Sequence, residues 1–316
     1  MKILVLRFSS IGDIVLTTPV VRCLKTQKPE CEVHYATKKQ YKGLLSNNPY
    51  IDKIHLLEGS MLDLIQKLKK ENFDLIIDLH NNLRTVNIWS QLRVKRYKFD
   101  KLNWEKWLMV RLKINVLPYM HIVDRYMDTI SQLGVENDGQ GLDYFIPEGT
   151  NVDQFELPEQ YSVYALGAQH NTKKLPFLKQ VELCQKVKTT LVLIGGKEDI
   201  EAGEKLSRAC GNVIDLCGKL NIDQSAMIMK HAQKVIAHDT GMMHIAAALR
   251  KPIVSIWGNT IPEFGMTPYY PQDIDDALST ILEVEDLGCR PCSKIGYEKC
   301  PKGHFKCMVN QSFDQL

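Results

Sequence analysis

Val235-Ile236-Ala237 leads into His238-Asp239-Thr240-Gly241-Met242-Met243-His244, and that turn leads into Ile245-Ala246-Ala247-Ala248-Leu249. The short apolar run has the make-up of a buried strand. The Ala-rich run combines strong helix formers with apolar residues at helical spacing. Asp239 and Thr240 both suit a helix N-cap, and Gly241 lets a ligand approach the backbone closely. A strand that turns directly into a helix aims unpaired N–H groups and the positive end of the helix dipole at one point. That point suits a phosphate. The same residues also make an ordinary capped helix, but His244, one turn in and on the face of Thr240 and Gly241, favours a ligand.

A second junction of this kind opens the chain. Lys2 to Phe8 is almost continuously apolar, as a central parallel strand should be. It is followed by Ser9-Ser10-Ile11-Gly12-Asp13-Ile14-Val15-Leu16-Thr17-Thr18-Pro19. Thr18-Pro19 can open a helix with Pro in its first turn, or the helix begins at Gly12 and kinks at Pro19. Asp13 stands at the junction with Arg7 as its basic neighbour, either as a cap or as a general base.

Between the two junctions, strand and helix signals alternate. Cys31–Ala36, Lys53–Leu57 and Phe73–Leu79 read as strands, Lys38–Leu45 and Met61–Lys70 as helices, and His121–Leu133 as an amphipathic helix stopped by Gly134. The strand at Phe73–Leu79 ends in the polar run His80-Asn81-Asn82-Leu83-Arg84. Residues 136–160, with Gly139, Gly141, Pro147, Gly149 and Pro158, read as a linker. A second βα series follows, with strands at Tyr161–Leu166, Thr189–Ile194, Val213–Leu216, Val235–Ala237 and Ile253–Ile256. The expected architecture is α/β, two Rossmann-like domains with parallel sheets whose carboxyl edges face a central cleft. The first covers residues 1–150 and the second 151–316, the latter carrying a Cys-rich tail at 284–316.

Length and composition agree. At 316 residues the chain exceeds one comfortable core, and 44% hydrophobic with 24% charged residues is ordinary for a folded protein. The apolar start is too short and too soon polar for a signal peptide, and no 18-residue apolar span occurs, so a cytoplasmic location is expected. No GxGxxG motif follows either first strand, which argues against a nicotinamide or flavin enzyme. Net charge is +3, yet residues 84–125 hold ten Lys or Arg against three acidic residues and include Trp104 and Trp107. That surface suits a phosphorylated glycolipid, a membrane or a nucleic acid, or it is a solvated helix face over two core tryptophans.

Asp13, Lys173 and the 238–244 turn could converge at the cleft. A cation plus a helix N-terminus stabilises a departing diphosphate, and a lone carboxylate can deprotonate an attacking hydroxyl. One carboxylate rather than a pair argues against ordinary glycoside hydrolysis. The acidic run Asp273-Ile274-Asp275-Asp276 reads as a surface turn rather than a metal site. Group transfer from a nucleotide-diphosphate donor without an essential metal fits best.

The Arg7–Pro19 stretch, Lys173-Lys174-Leu175-Pro176, and Asp239-Thr240-Gly241 with His244 together resemble glycosyltransferase family 9, the heptosyltransferases of lipopolysaccharide inner-core assembly. The likeness spans nearly the whole chain. It implies a GT-B fold and inverting, metal-independent transfer from ADP-heptose to a hydroxyl of a lipid-linked sugar. By resemblance Asp13 is the catalytic base. Lys173, Asp199, Asp239, Thr240, Gly241 and His244 bind the donor, with Asp199 near its nucleoside. Gly12, Arg84 and Arg125 line the acceptor side. The implied partners are an ADP-sugar, an anionic glycolipid and the cytoplasmic face of the inner membrane, touched peripherally, and no nucleic acid. Leu175 departs from the family's usual Lys-x-Trp-Pro and leaves room for another nucleotide sugar. A sugar epimerase on this fold needs more acid/base residues than the cleft offers. A non-catalytic GT-B scaffold need not keep the Asp13, Lys173 and 239–241 set.

Cys289, Cys292, Cys300 and Cys307 stand apart from the other five cysteines. Their C-x2-C-x7-C-x6-C spacing can supply four tetrahedral ligands for a structural zinc or iron ion, free or redox-active thiols and intermolecular disulfides being the alternatives. Such an ion would tie down a tail otherwise short of core, with no cofactor needed for catalysis.

Overall fold

The computed structural model describes residues 1–274 and 278–316. Asp275 and Asp276 of the acidic run therefore fall outside the described residues. The chain packs as two units. One comprises residues 1–101, 120–145 and 271–273, and the other residues 102–119, 146–270 and 274–316.

The first unit is a five-stranded parallel sheet in the order β3-β2-β1-β4-β5. Along the chain run β1 (Lys2–Leu6), α1 (Ile11–Val15), α2 (Thr18–Gln27), β2 (Glu32–Lys38), β3 (Lys53–Leu57), α3 (Met61–Lys69), β4 (Leu75–Asp78), α4 (Leu83–Leu92) and β5 (Lys95–Lys98). α5 (Asn103–Leu112) packs with the second unit, and α6 (Ile122–Ser131) returns to the first. Ile3, Leu4, Val5 and Leu6 of β1 are fully buried, as a strand covered on both faces requires, at roughly 1.5–3 kcal/mol for each large side chain. On one face Leu4, Leu6, Ala36 and Ile76 pack against Leu64 and Leu68 of α3 and Ile88 of α4. The opening junction resolves into two helices. α1 ends at Val15, and α2 begins at Thr18 with Pro19 in its first turn. Buried Arg22 on α2 grips Asp138 through paired 2.8 Å bonds and also Asp143, fastening the segment after α6 to the unit.

β5 is a strand the apolar pattern does not announce. Lys95-Arg96-Tyr97-Lys98 sits at the sheet edge, where charged side chains keep an open strand from pairing with another chain. Lys38–Leu45, expected as a helix, is a 3-10 segment at Lys39–Leu44.

The second unit holds a six-stranded parallel sheet in the order β11-β10-β9-β6-β7-β8. Its elements are β6 (Tyr161–Ala165), α7 (Phe177–Lys186), β7 (Thr190–Ile194), α8 (Ile200–Ala209), β8 (Val213–Asp215), α9 (Ile222–His231), β9 (Val235–His238), α10 (Gly241–Ala248), β10 (Ile253–Trp257), β11 (Ser279–Glu283) and α11 (Lys306–Val309). Cys307, Met308 and Phe313 join the core formed by Tyr164, Leu193, Ile236 and Ile256. The tail is thus not short of core: apolar burial holds it to the sheet.

Candidate active site

In the first unit the site forms where β1 and β4 end. Ser10 caps α1, and Asp13, three residues on, closes the reciprocal arrangement: its Oδ2 accepts from Ser10 N at 3.0 Å and from Ser10 Oγ at 2.8 Å. Its other oxygen takes Arg7 Nη2 at 2.6 Å. Arg7 is itself buried and fixed on every side. Its Nε donates to Ser9 O at 2.8 Å, and its Nη1 donates to Leu79 O at 2.5 Å and to Tyr126 Oη at 3.0 Å. Burial alone would raise the Asp13 pKa, but the Arg7 charge and the Ser10 bonds outweigh it and hold the carboxyl at about 2. Asp13 is therefore ionised at neutral pH, with a side chain still 21% exposed. The cap and the potential base are the same residue.

His80 and Tyr126 complete this neighbourhood, and neither is singled out by the sequence patterns. His80 Nδ1 accepts from Phe8 N at 3.2 Å, and burial, aided by the Arg7 charge, pushes its pKa down to about 4. A neutral ring that accepts at Nδ1 carries its proton on Nε2, as a donor. Its loop is shaped by fully buried Asp78, whose Oδ1 takes His80 N at 3.0 Å and Asn81 N at 2.7 Å. In the sequence Arg7 shows as a cation directly after an apolar strand and as the first residue of the Arg7–Pro19 stretch.

Of the residues expected on the acceptor side, Gly12 is buried in α1 beside Asp13, and the Arg84 guanidinium lies 5.6 Å from the centre of the Phe8 ring. Arg125 is placed differently. It is buried on α6 and lines a cavity of about 330 Å³ with Arg96, Asp100, Asp128 and Thr129, and burial lowers its pKa.

In the second unit Lys173, Asp239, Thr240 and Gly241 come together at the end of β9 and the start of α10. Lys173 Nζ meets Asp239 Oδ2 at 2.6 Å and the Asp239 carbonyl at 3.1 Å, and Thr260 Oγ1 donates to the same carboxylate oxygen at 2.8 Å. Thr240 is the N-cap of α10 but forms no cap bond with its side chain, and its buried hydroxyl has no protein partner. In the neighbouring loop the buried Asn259 amide is also unbonded at both ends. A buried polar group without a partner costs about 1–3 kcal/mol, which a bound ligand can recover. His244 is buried on α10.

Three further groups position this half-site. His238 Nε2 accepts from Leu175 N at 3.1 Å, fixing the turn that carries Lys173. Burial holds the ring neutral, with a pKa near 3. Asp199 is buried with both oxygens engaged, by Lys174 Nζ at 2.7 Å and Gly196 N at 3.0 Å. A side chain at Gly167 or Gly195 would collide with it. The tail supplies the third support. Thr172 and Tyr297 exchange backbone and hydroxyl bonds of 2.8–3.0 Å. Arg290 donates to Gly258 O and Thr260 O, and Cys292 N to Asn259 O.

None of the four tail cysteines is joined in a disulfide. Burial, then Cys289, pushes the Cys292 pKa up to about 11, and burial pushes Cys307 to about 12. Their soft donors fit zinc or iron, but no three of these sulfurs lie within 4.8 Å of one another. Among the described residues the donor set that meets this spacing is His34, His55 and Glu71 in the first unit. His34 Nδ1 and His55 Nε2 there share a 2.9 Å hydrogen bond, and Lys53 occupies one oxygen of Glu71 at 2.5 Å.

The family model described as glycosyltransferase family 9 (heptosyltransferase) matches residues 61–296. The chain is 22% identical to lipopolysaccharide heptosyltransferase 1 of Campylobacter coli over 90% of its length and 89% of the relative. Its fold is that of a family 9 glycosyltransferase from Veillonella parvula, with a TM-score of 0.75, 21% identity, and coverage of 90% of this chain and 86% of that one. It also matches the Escherichia coli heptosyltransferase WaaC with ADP, at a TM-score of 0.68, 18% identity, and coverage of 89% and 92%. The two parallel-sheet units are those of the GT-B fold.

Proposed function

The chain belongs to glycosyltransferase family 9, and from that membership we propose that it transfers heptose from ADP-heptose to a sugar hydroxyl of a lipid-linked lipopolysaccharide inner core. The observation that carries this reading is the start of α10. There Lys173 rests on Asp239 beside a cap hydroxyl that has no protein partner. In the proposed reaction the donor diphosphate takes over Lys173 Nζ, the Thr240 hydroxyl and the first N–H groups of α10. These groups balance the charge that grows on the diphosphate as the sugar–oxygen bond breaks. Asp13 accepts the proton of the attacking hydroxyl as the new glycosidic bond forms, and ADP leaves. Attack opposite to the leaving group inverts the anomeric centre. The cations are the protein's own, so this scheme calls for no catalytic metal. Asp199, fully engaged with Lys174 and Gly196 N, acts by positioning Lys174. Gly12 and Arg84 belong to acceptor binding, and His80 Nε2–H adds a donor there.

The acceptor is lipid-linked, so the reaction is placed at the cytoplasmic face of the inner membrane, with the protein in peripheral contact. A structural zinc or iron ion on the tail cysteines would require their sulfurs to draw together, and it would stiffen the loops that Arg290 and Cys292 support. Buried Leu175, where the family resemblance expects Trp, favours one second reading, the same chemistry with a different sugar on the nucleotide. Incubation with ADP-heptose and an inner-core glycolipid, followed by mass spectrometry, tests the proposal. The expected product is heavier by one heptose, with one ADP released per transfer. Transfer from another ADP-sugar but not from ADP-heptose would select the second reading.

A further inference from the structure

We infer that α5 and the residues after it, as far as Tyr119, form an element that docks this protein on an anionic lipid bilayer. α5 is ten residues long and none of them is buried, which is unusual for a helix that water alone would scarcely hold together. Trp104 and Trp107 are 65% and 46% exposed, and their rings stack at 5.1 Å. Leu112, Ile114, Val116 and Tyr119 continue the exposed apolar run. Residues 101–119 add Lys101, Lys106, Arg111 and Lys113 against the single acid Glu105.

The element is held in place rather than trailing. Lys113 Nζ donates to Pro291 O at 2.6 Å and to Cys289 O at 3.2 Å. Lys106 lies 5.9 Å from the centre of the Phe264 ring, and Lys294 Nζ reaches Asn103 Oδ1 at 3.3 Å. Exposed tryptophans among cations match the boundary between headgroups and acyl chains, where an indole keeps its N–H wet and its ring dry. A protein partner would satisfy the apolar groups but would not account for the surplus of cations; anionic headgroups account for both. Among the described residues no helix is long and apolar enough to cross a membrane, so this contact lies on the surface. The inference rests on the proposed function only for the reason a membrane is needed, namely that the acceptor is anchored there.

Sedimentation with phosphatidylcholine vesicles, with and without phosphatidylglycerol, tests it. The protein should bind the phosphatidylglycerol vesicles and be released by salt. Trp104→Ser/Trp107→Ser should lose most of that binding, and Lys106→Gln/Arg111→Gln should lose roughly fivefold for each charge removed. All variants should keep ADP affinity and transfer to a deacylated, soluble acceptor. Absence of vesicle binding by the unaltered protein, or unchanged binding by the tryptophan variant, would overturn the inference. So would a dimer on a sizing column that separates in the tryptophan variant without any vesicle binding, since a second copy would then cover the patch. Vesicle binding without transfer to the soluble acceptor would instead overturn the transfer reading and leave the docking element standing.

Discussion

Asp13 and Asp239 stand at equivalent places, each just after a strand and at the start of a helix, and each is paired with a cation. The pairs are built differently. Asp13 faces an arginine fixed by four oxygen acceptors at 2.5–3.0 Å, and Ser10 holds its other oxygen. Asp239 faces a lysine whose flexible stem and compact charge adapt to a new partner more easily than a planar guanidinium does. The first pair is a fixed part of the fold; in the proposed reaction the second exchanges its carboxylate for an incoming phosphate. A carboxylate at about 2 is a weak base, so in the proposed mechanism Asp13 acts by being always ionised and always in place rather than by matched pKa.

The largest expected effect falls on the fixed pair. Asp13→Ala should lower turnover by roughly two to four orders of magnitude with ADP affinity unchanged. Steady-state kinetics beside nucleotide titration check this, and a variant within a few-fold of the original would remove Asp13 from the chemistry. Next is Arg7→Met, which leaves the carboxylate in place without its partner. The Asp13 pKa is depressed from 3.8 to about 2, so its contribution to stability is fully present above about pH 4 and is lost as pH falls toward 2. That contribution amounts to roughly 2 kcal/mol. Urea unfolding should show Arg7→Met destabilised at pH 7 by that amount or more, because its bonds to Ser9 O, Leu79 O and Tyr126 Oη are lost as well, and by progressively less below pH 4. The acid limb of its turnover profile should also move to higher pH. The smallest effect tests the support behind the exchangeable pair. Thr172→Val removes the hydroxyl that bonds Tyr297, and it should raise the ADP dissociation constant by roughly fivefold, as loss of about 1 kcal/mol of hydrogen bonding implies, with turnover at saturation unchanged.

Much of this was legible in the sequence because central parallel strands must be apolar. The runs at Lys2–Phe8 and Val235–Ala237 announce themselves, and the polar residues after them form the candidate site. Edges obey another rule. β5 is Lys-Arg-Tyr-Lys, and no search for apolar runs finds a strand designed to repel neighbours. Trp104 and Trp107 read equally well as core or as surface, since composition carries no information about which face is covered. The tail was the least readable. Its cysteine spacing suggests an ion, whereas its core residues and its bonds to Thr172 and Asn259, the former spanning 125 positions, leave no mark in local sequence. His80 and Tyr126 belong to the same class, placed by packing around Arg7 rather than by any motif.

The most direct test of the account is calorimetric titration of ADP, GDP and UDP into the unaltered protein and into Lys173→Ala. ADP should bind in preference to the other two, and its affinity should fall roughly 10- to 100-fold in the variant, as loss of a charge-assisted bond to phosphate implies. Binding of ADP that is undiminished without Lys173, or no binding of any of the three nucleotides, would contradict it.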